Sequence, residues 1–168
     1  MSSDKIGSSH ITRDICQKAD IIGYTEEYSA VVRSWIDSEE TYHNLCRGND
    51  FPPPEDIVDS WQRTNVLSKL LLTQRKPIGY GEIWARPAEL AVELAHLIVD
   101  PAHRSEGYGS ALIEHLFQSA ARRPGVAKVM INLYAESEHI LGCYLKAGFQ
   151  LIGTTKHLPG LRMIRLTR

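Results

Sequence analysis

The chain has 168 residues, a mass of 18.9 kDa and a formal net charge of −1. This length is typical of one domain that buries its own core. The near-neutral charge does not indicate a broad nucleic-acid-binding surface. No apolar run is long enough to span a membrane, and the first residues lack the pattern of a secretory signal. The sequence therefore indicates a single globular domain with no nucleic-acid or membrane partner.

The cysteines and histidines bear on location and metal content. Cys16, Cys46 and Cys143 are odd in number and far apart, which favours reduced thiols over disulfides. The seven histidines show no metal-ligand spacing. We therefore expect a cytoplasmic protein without a metal.

The first third of the chain predicts a tail, a strand and helices. Residues 1–18 are polar and serine-rich, which indicates a flexible tail. "DIIGY" predicts a short strand, and "TEEYSAVVRSWI" a helix with Thr25 as its N-cap. "SEETYHNLC" predicts a second helix. In "FPPPEDIVDSWQR", Pro54 and the two acidic residues after it indicate a third helix start.

A meander of strands follows. "VLSKLLL", "IGYGEIWA" and "LAVELAHLIV" are separated by short turns, and this spacing predicts three antiparallel strands. Apart from Glu93 and His96, the third strand is apolar at its odd-numbered and its even-numbered positions. We therefore expect both of its faces to be covered.

The last third alternates between helix and strand. A stripe at helical spacing begins at Tyr108 and contains Leu112, Ile113, Leu116, Phe117 and Ala120. "VAKVMINLY" predicts a strand, and "SEHILGCYLKA" predicts a helix that ends at Gly148. "FQLIGTTKHLPGLRMIRL" predicts a closing hairpin with Pro159 and Gly160 at its turn.

Two Gly-Tyr-Gly triplets differ in context. Gly79 and Gly81 lie inside a strand pattern, which indicates a bulge or a close backbone approach. Gly107 and Gly109 follow a buried strand and open a helix, where unpaired N–H groups bind anions. A tight strand-to-helix turn would explain them equally well. The surrounding residues fit neither the Rossmann fingerprint nor a P-loop.

Two motifs carry a family resemblance. Residues 104–109, RSEGYG, fit the signature Q/R-x-x-G-x-G/A, and "GCYLKAGF" is similar to a second motif, A-x-x-L-Y-x-K-x-G-F. In these features the chain resembles the GNAT superfamily of acetyl-CoA-dependent N-acetyltransferases over about residues 66 to 166. The resemblance implies a single α/β (α+β) domain over residues 19–168. Its mixed sheet would have six to seven strands, flanked by helices and splayed at the central strands. Residues 19–64 would form the acceptor side and residues 65–168 the acetyl-CoA-binding core.

The resemblance also implies a coenzyme site. The diphosphate would lie on backbone N–H groups of the loop and helix start: Arg104, Ser105, Glu106, Gly107, Tyr108, Gly109 and Ser110. The pantetheine arm would pair with the backbone of Leu97, Ile98 and Val99, and the Leu97 amide would face the acetyl oxygen. Ser137 stands where the second motif usually has asparagine, and Glu106 stands where the family usually has a basic residue.

Two residues are expected to be catalytic. Glu93 lies eleven residues before Arg104, where histone-type members of the family have a glutamate base. A carboxylate on an apolar strand has its pKa raised towards the useful range. Tyr144 matches the tyrosine that protonates the departing thiolate. The structural alternatives are a solvated glutamate in the sheet and a tyrosine packed inside.

The acceptor is expected to be an amine, and a cationic one. Residues 25–63 contain nine acidic and three basic groups, a local net charge of −6, with aromatic residues between them. Acidic and aromatic groups attract cations, which suggests an aminoglycoside, a polyamine or a basic peptide. A solvated acidic surface is the alternative. A non-catalytic acyl-CoA sensor, a nucleotide-binding α/β module and a homodimer are left open.

Overall fold

The computed structural model describes residues 13–133, 138–154 and 160–167. Their seven strands form one sheet in the order β1-β2-β3-β4-β5-β7-β6. Strands β4 and β5 are parallel, and the other neighbours are antiparallel. The strand bounds are β1 Ala19–Gly23, β2 Val66–Thr73, β3 Lys76–Arg86, β4 Ala91–Val99, β5 Lys128–Leu133, β6 Gln150–Thr154 and β7 Leu161–Leu166. The predicted mixed sheet is confirmed.

Helices lie on both faces of this sheet. Residues 13–18 are helical and are labelled α1. The other helices are α2 Ser29–Ser34, α3 Glu39–Cys46, α4 Ile57–Ser60, α5 Tyr108–Ala121 and α6 Glu138–Lys146. Short 3-10 turns occupy Glu26–Tyr28, Pro87–Glu89 and Pro101–His103. No helix in the described part of the chain is both long and apolar enough to cross a membrane.

Each face of the sheet carries its own hydrophobic cluster. Side chains alternate between faces along a strand, so Leu71 packs on one side and its neighbours Leu70 and Leu72 on the other. The first cluster contains the buried stripe of α5 together with Tyr144 and Phe149. The second lies under α2, α3 and α4. Strand β4 is therefore covered on both faces, as its apolar sequence predicted.

The sheet opens between its two central strands. The parallel register pairs residues 91–94 of β4 with residues 128–131 of β5, and β4 then continues alone to Val99. Within the described residues, the second half of β4 therefore has a strand neighbour only on its β3 side. This is the splay that the sequence predicted.

A β-bulge lies at the point where β4 leaves β5. Glu82 faces Ala95 and Tyr80 faces Ile98, so Gly81 alone stands opposite the two residues 96 and 97. A Cβ at Gly81 would lie 2.6 Å from Leu116 Cδ1. The bulge and the close approach to α5 confirm the prediction for the first Gly-Tyr-Gly triplet.

Two expectations for the acceptor side were wrong in detail. The third helix begins at Ile57 rather than at Pro54, because residues 55–56 form a turn and the N-cap Asp56 has a ψ of 12°, outside the helical range. Thr25 precedes a 3-10 turn and makes no capping hydrogen bond with its side chain. Its hydroxyl donates to Glu27 Oε1 instead, at 2.8 Å.

The ends of the chain add two observations. Residues 13–18, placed in the expected tail, are helical, and Ile15 and Cys16 pack against the core. A hydrogen bond of 3.1 Å between His115 Nε2 and the Cys16 carbonyl holds this turn on α5. At the other end, β6 and β7 pair antiparallel as the hairpin predicted, with β7 inserted between β5 and β6. Pro159, at the expected turn, lies outside the described residues.

Candidate active site

The second Gly-Tyr-Gly triplet forms the start of α5. Gly107 is the N-cap residue, with a φ of 93° that favours glycine, and it has no side chain to cap the helix. The first N–H groups of α5 have no intrahelical acceptor, so they form an anion-binding end. A Cβ at Gly107 would meet Ile15 Cδ1 at 2.9 Å. The backbone of residues 104–110 therefore suits a diphosphate, and the glycine is required by its backbone conformation.

The charged side chains of this loop point to protein partners. Arg104 donates to the carbonyls of Val99 and Trp35 at 3.2 and 3.1 Å, and it pairs with Asp37 at 3.2 Å. Glu106 Oε2 lies 3.2 Å from His103 Nδ1. The loop is thus tied to the turn between α2 and α3. The Arg104 guanidinium is therefore engaged by protein groups, and binding of an anion by the backbone amides stays a prediction.

Glu93 is buried and has partners on both carboxylate oxygens. Its exposure is 7%, and Arg86 Nη2 lies 2.7 Å from its Oε2. Asn132 Nδ2 donates to Oε1 at 2.8 Å. Arg162 Nε in turn donates to the side-chain oxygen Oδ1 of Asn132 at 3.0 Å. Glu93 therefore belongs to a network that links β3, β4, β5 and β7. Its role as a base stays a prediction.

Tyr144 lies in the cluster on the α5 face. Its ring contacts Phe149 edge-on, with 6.0 Å between centroids, and its exposure is 7%. Burial raises the pKa of the Tyr144 phenol, and the nearby Cys143 adds to this shift. The hydroxyl therefore stays protonated at neutral pH, as a proton donor must. Its role stays a prediction, and Ser137 lies outside the described residues.

The strand expected to meet pantetheine runs through the opened half of β4. Leu97 packs towards α5, whereas Ile98 is buried in the cluster on the opposite face. Val99 Cγ2 would lie 3.9 Å from a Cβ at Gly109, so the end of the strand adjoins the helix start.

The sequence reasoning missed a buried pair on the acceptor face, Glu82 and His96. Glu82 has 0% exposure, and its Oε2 lies 2.9 Å from His96 Nδ1. Trp84 Nε1 donates to the same oxygen, and the Tyr80 hydroxyl donates to Oε1, both at 2.5 Å. His96 occupies the bulge with a φ of 48°. Each is a polar residue in an otherwise apolar strand, which is the sequence signal for a buried polar pair. Of the two, only His96 appears in the sequence analysis as such an exception.

His96 also lines a cavity of about 250 Å³. Its ring stacks on Trp61 at 4.2 Å between centroids and meets the edge of Trp84 at 5.3 Å. The wall includes Tyr42, Cys46, Trp61, Arg63, Trp84 and His96. This aromatic cavity opens beside the bulge, on the side of the sheet covered by α3 and α4.

The profile of the acetyltransferase (GNAT) family matches residues 30–149. The chain belongs to the GNAT acetyltransferase family. As a GNAT protein it is an N-acetyltransferase that takes its acetyl group from acetyl-CoA. This membership replaces the nucleotide-binding module considered from the sequence. Among the described residues, no histidine, cysteine and carboxylate side chains come together as a metal site.

Two GNAT relatives from Escherichia coli illustrate the family. The [ribosomal protein bS18]-alanine N-acetyltransferase is 30% identical over 113 residues, which cover 67% of this chain and 74% of the relative. The peptidyl-lysine N-acetyltransferase YjaB is 24% identical over 131 residues, which cover 78% of this chain and 81% of the relative.

Solved GNAT structures share the fold at lower identity. The spermidine N-acetyltransferase of Vibrio cholerae, in complex with CoA and spermine, has a TM-score of 0.74 and 13% identity. That match covers 90% of this chain and 96% of the other. The aminoglycoside acetyltransferase AAC(6')-Ib, in complex with coenzyme A and kanamycin, has a TM-score of 0.73 and 18% identity. It covers 88% of this chain and 94% of the other.

Proposed function

We propose that this enzyme acetylates a primary amine on a cationic acceptor, and that the amine-bearing arm of the acceptor enters the aromatic cavity. One observation carries this proposal. The cavity wall includes His96, which lies in the bulge where β4 leaves β5. An amine in the cavity would therefore lie beside the strand expected to hold the acetyl end of the coenzyme.

The distribution of charge around the cavity supports a cationic acceptor that is attracted to the acceptor side by acidic groups outside the cavity. The nine acidic side chains of residues 25–63 are absent from the cavity wall, which carries Arg63. Asp37 and Asp59 have protein partners, because Asp37 pairs with Arg104 and Asp59 accepts from two hydroxyls. The remaining acidic groups give the acceptor side its negative field. Inside, the aromatic faces provide the attraction for a cation.

The size of the cavity favours a slender arm. Pockets that enclose a whole drug-sized ligand usually measure about 300–1,000 Å³, and this cavity measures about 250 Å³. A lysine side chain or the end of a polyamine would fit, whereas most of an aminoglycoside would remain outside. The relatives named for peptidyl-lysine and for an alanine of ribosomal protein bS18 are also named for acceptors that are parts of larger molecules.

Bound acetyl-CoA supplies an activated thioester. The backbone amides of residues 104–110 would bind its diphosphate, and the backbone of residues 97–99 would orient its arm. The phenol of Tyr144 would give a proton to the departing sulfur. Tyr144 suits this role because burial keeps its hydroxyl protonated.

The test is a panel of amines assayed with acetyl-CoA by release of free thiol. Polyamines, lysine peptides and aminoglycosides are compared with neutral amines of similar size. We expect the highest kcat/KM for acceptors with an unbranched primary amine arm and a second positive charge. Equal rates for neutral amines would contradict the cationic acceptor.

A thermal-shift measurement checks the coenzyme separately. A ligand at one hundred times its dissociation constant stabilises a fold by about 2.7 kcal/mol. For a chain of this size, that corresponds to a rise in Tm of roughly 5 to 11 °C. If the thermal shift is present but no amine in the panel is acetylated, the coenzyme assignment stands and only the proposed acceptor is wrong.

A further inference from the structure

Glu82 and His96 form the most completely buried polar arrangement on the acceptor face, and the coenzyme-binding groups do not use it. Three donors surround the Glu82 carboxylate, from Tyr80, Trp84 and His96. Of these donors, only the imidazole can become positively charged. A buried carboxylate stabilises a nearby cation strongly, because the surroundings screen the charges poorly.

The orientation of the ring leaves one nitrogen towards the cavity. A carboxylate accepts hydrogen bonds, so the proton of a neutral imidazole lies on Nδ1, which faces Glu82 at 2.9 Å. Nε2 then keeps its lone pair. Within the described ranges, no protein group hydrogen-bonds Nε2. Stacking on Trp61 fixes the ring plane.

We propose that His96 is the general base of the acetyl transfer, with Nε2 taking the proton from the acceptor amine while the buried Glu82 carboxylate holds Nδ1–H. This inference rests on the proposed entry of an amine into the aromatic cavity. The left-handed backbone of His96 supports it, since such conformations persist at sites where a side chain must be aimed.

The proton and bond balance is simple. The acceptor arrives as an ammonium ion, and His96 Nε2 takes one proton, which exposes the nitrogen lone pair. That pair forms the new N–C bond as the C–S bond breaks, with its electrons left on sulfur. The second amine proton lost on amide formation balances the proton that sulfur gains through Tyr144. His96 then releases its proton to solvent, so each turnover releases one proton.

Glu93 is the competing candidate, and its surroundings differ. Arg86 makes two hydrogen bonds to one of its oxygens, and Asn132 makes one to the other. Both oxygens of Glu93 are therefore occupied by protein donors, one of them a cation. His96 instead lies 2.9 Å from an anionic partner, Glu82 Oε2.

The other titratable groups near the imidazole do not change charge near neutral pH. Arg63 lies in the cavity wall and stays charged. Burial raises the pKa of the Tyr42 phenol and of the Cys46 thiol, both on α3. Burial and the adjacent Glu82 raise the pKa of the Tyr80 phenol.

His96→Asn is the main test, because asparagine tolerates the left-handed backbone and still donates to Glu82 but takes no proton. We expect kcat/KM to fall by about 100- to 10,000-fold near neutral pH. In the pH profile of kcat/KM, the acidic limb should disappear. The remaining dependence should be a rise in kcat/KM as the pH approaches the pKa of the acceptor amine. His43→Asn is the matched control, because His43 is exposed on α3 and outside the cavity wall. Its profile should equal that of the wild type.

Glu82→Gln separates a base from a structural residue. The change removes the negative charge 2.9 Å from the imidazole, so a protonated His96 would lose its partner. The acidic limb should therefore move to lower pH, and kcat/KM on the plateau should fall. If His96→Asn retains the wild-type profile, or if Glu93→Gln alone removes the acidic limb, the proposal is overturned. If His96→Asn misfolds and therefore loses the acetyl-CoA thermal shift, Glu82→Gln becomes the deciding test. A Glu82→Gln variant whose acidic limb lies at the same pH as that of the wild type would then overturn the proposal.

A readout without turnover keeps the proposal independent of the acceptor panel. Long-range 1H–15N correlation reports which ring nitrogen of His96 carries the proton. We expect the Nδ1–H tautomer in the acetyl-CoA-bound enzyme. The opposite tautomer would refute the proposal even if no amine in the panel reacts.

Discussion

Gly81 lies where the bulge of β4 meets helix α5, and Gly81→Ala tests how tightly the two are packed. The added Cβ would lie 2.6 Å from Leu116 Cδ1 and 3.4 Å from Leu97 Cγ. Carbon atoms normally approach to about 3.5–4.0 Å. Leu116 would therefore have to retreat by about 1 Å to restore that contact, and its exposure is 0%. Overpacking of this kind costs about 1–3 kcal/mol.

Loss of glycine freedom in the unfolded chain offsets about 0.4–1 kcal/mol of this cost. The expected net destabilisation is therefore up to about 2.6 kcal/mol, a fall in Tm of up to roughly 10 °C. Thermal or denaturant unfolding measures it. Because the bulge carries His96, kcat should also fall while the acetyl-CoA thermal shift remains.

Gly142→Ala is the matched control, because a Cβ there has no neighbour within 4 Å and the residue lies inside helix α6. This change should stabilise the protein by about 0.4–1 kcal/mol. The double variant Gly81→Ala with Leu116→Ala should be more stable than the two separate losses predict, by about 0.5 kcal/mol or more. Strict additivity, or a Gly81→Ala variant as stable as Gly142→Ala, would refute the packing argument.

Three further predictions concern the coenzyme loop, the proton donor and acid stability. Gly107→Ala should lower the free energy of unfolding by about 1 kcal/mol or more, because the φ of 93° disfavours any side chain and the Cβ meets Ile15. A lower Tm would report this strain. The same change should also reduce the acetyl-CoA thermal shift; an unchanged shift would make Gly107 a turn residue only. Tyr144→Phe should lower kcat by a similar factor at every assay pH, since burial keeps the phenol protonated; a loss that vanishes in alkali would contradict a proton donor. For Glu114, burial alone raises the pKa, but hydrogen bonds from Arg165 and a neighbour on α5 bring the pKa below its usual value. The stability it adds is present above about pH 4.3 and is lost as the pH falls through the lower folded value. The Tm deficit of Glu114→Gln should therefore shrink towards pH 3, and a pH-independent deficit would contradict this origin.

The parts of the fold that depend on local sequence were predictable. The stripe from Leu112 to Ala120 and the glycine at 148 define α5 and the end of α6 without reference to distant residues. The position of Gly107 at a helix start followed from its neighbours. The splay and the coenzyme loop came from the family motifs, which record tertiary structure that periodicity does not contain.

The electrostatic pairs were not predictable in this way. Glu82 and His96 are fourteen residues apart, and they meet across the β3–β4 pair beside the bulge at Gly81. Glu93 gains its partners from β3 and β5, which depends on strand order. The start of α4 at Ile57 depends on the turn at residues 55–56, which the helix pattern of its apolar residues did not reveal.

One guanidinium joins the coenzyme loop to the acceptor wall. Arg104 bonds to the end of β4 and, at the same time, to Trp35 and Asp37 beside α2. A movement of the loop would therefore also displace the residues that lead into the helices on the acceptor side. If the two substrates are coupled in this way, thermodynamic linkage requires that each changes the affinity of the other by the same factor. Such coupling would run through a contact that touches neither of the reacting atoms.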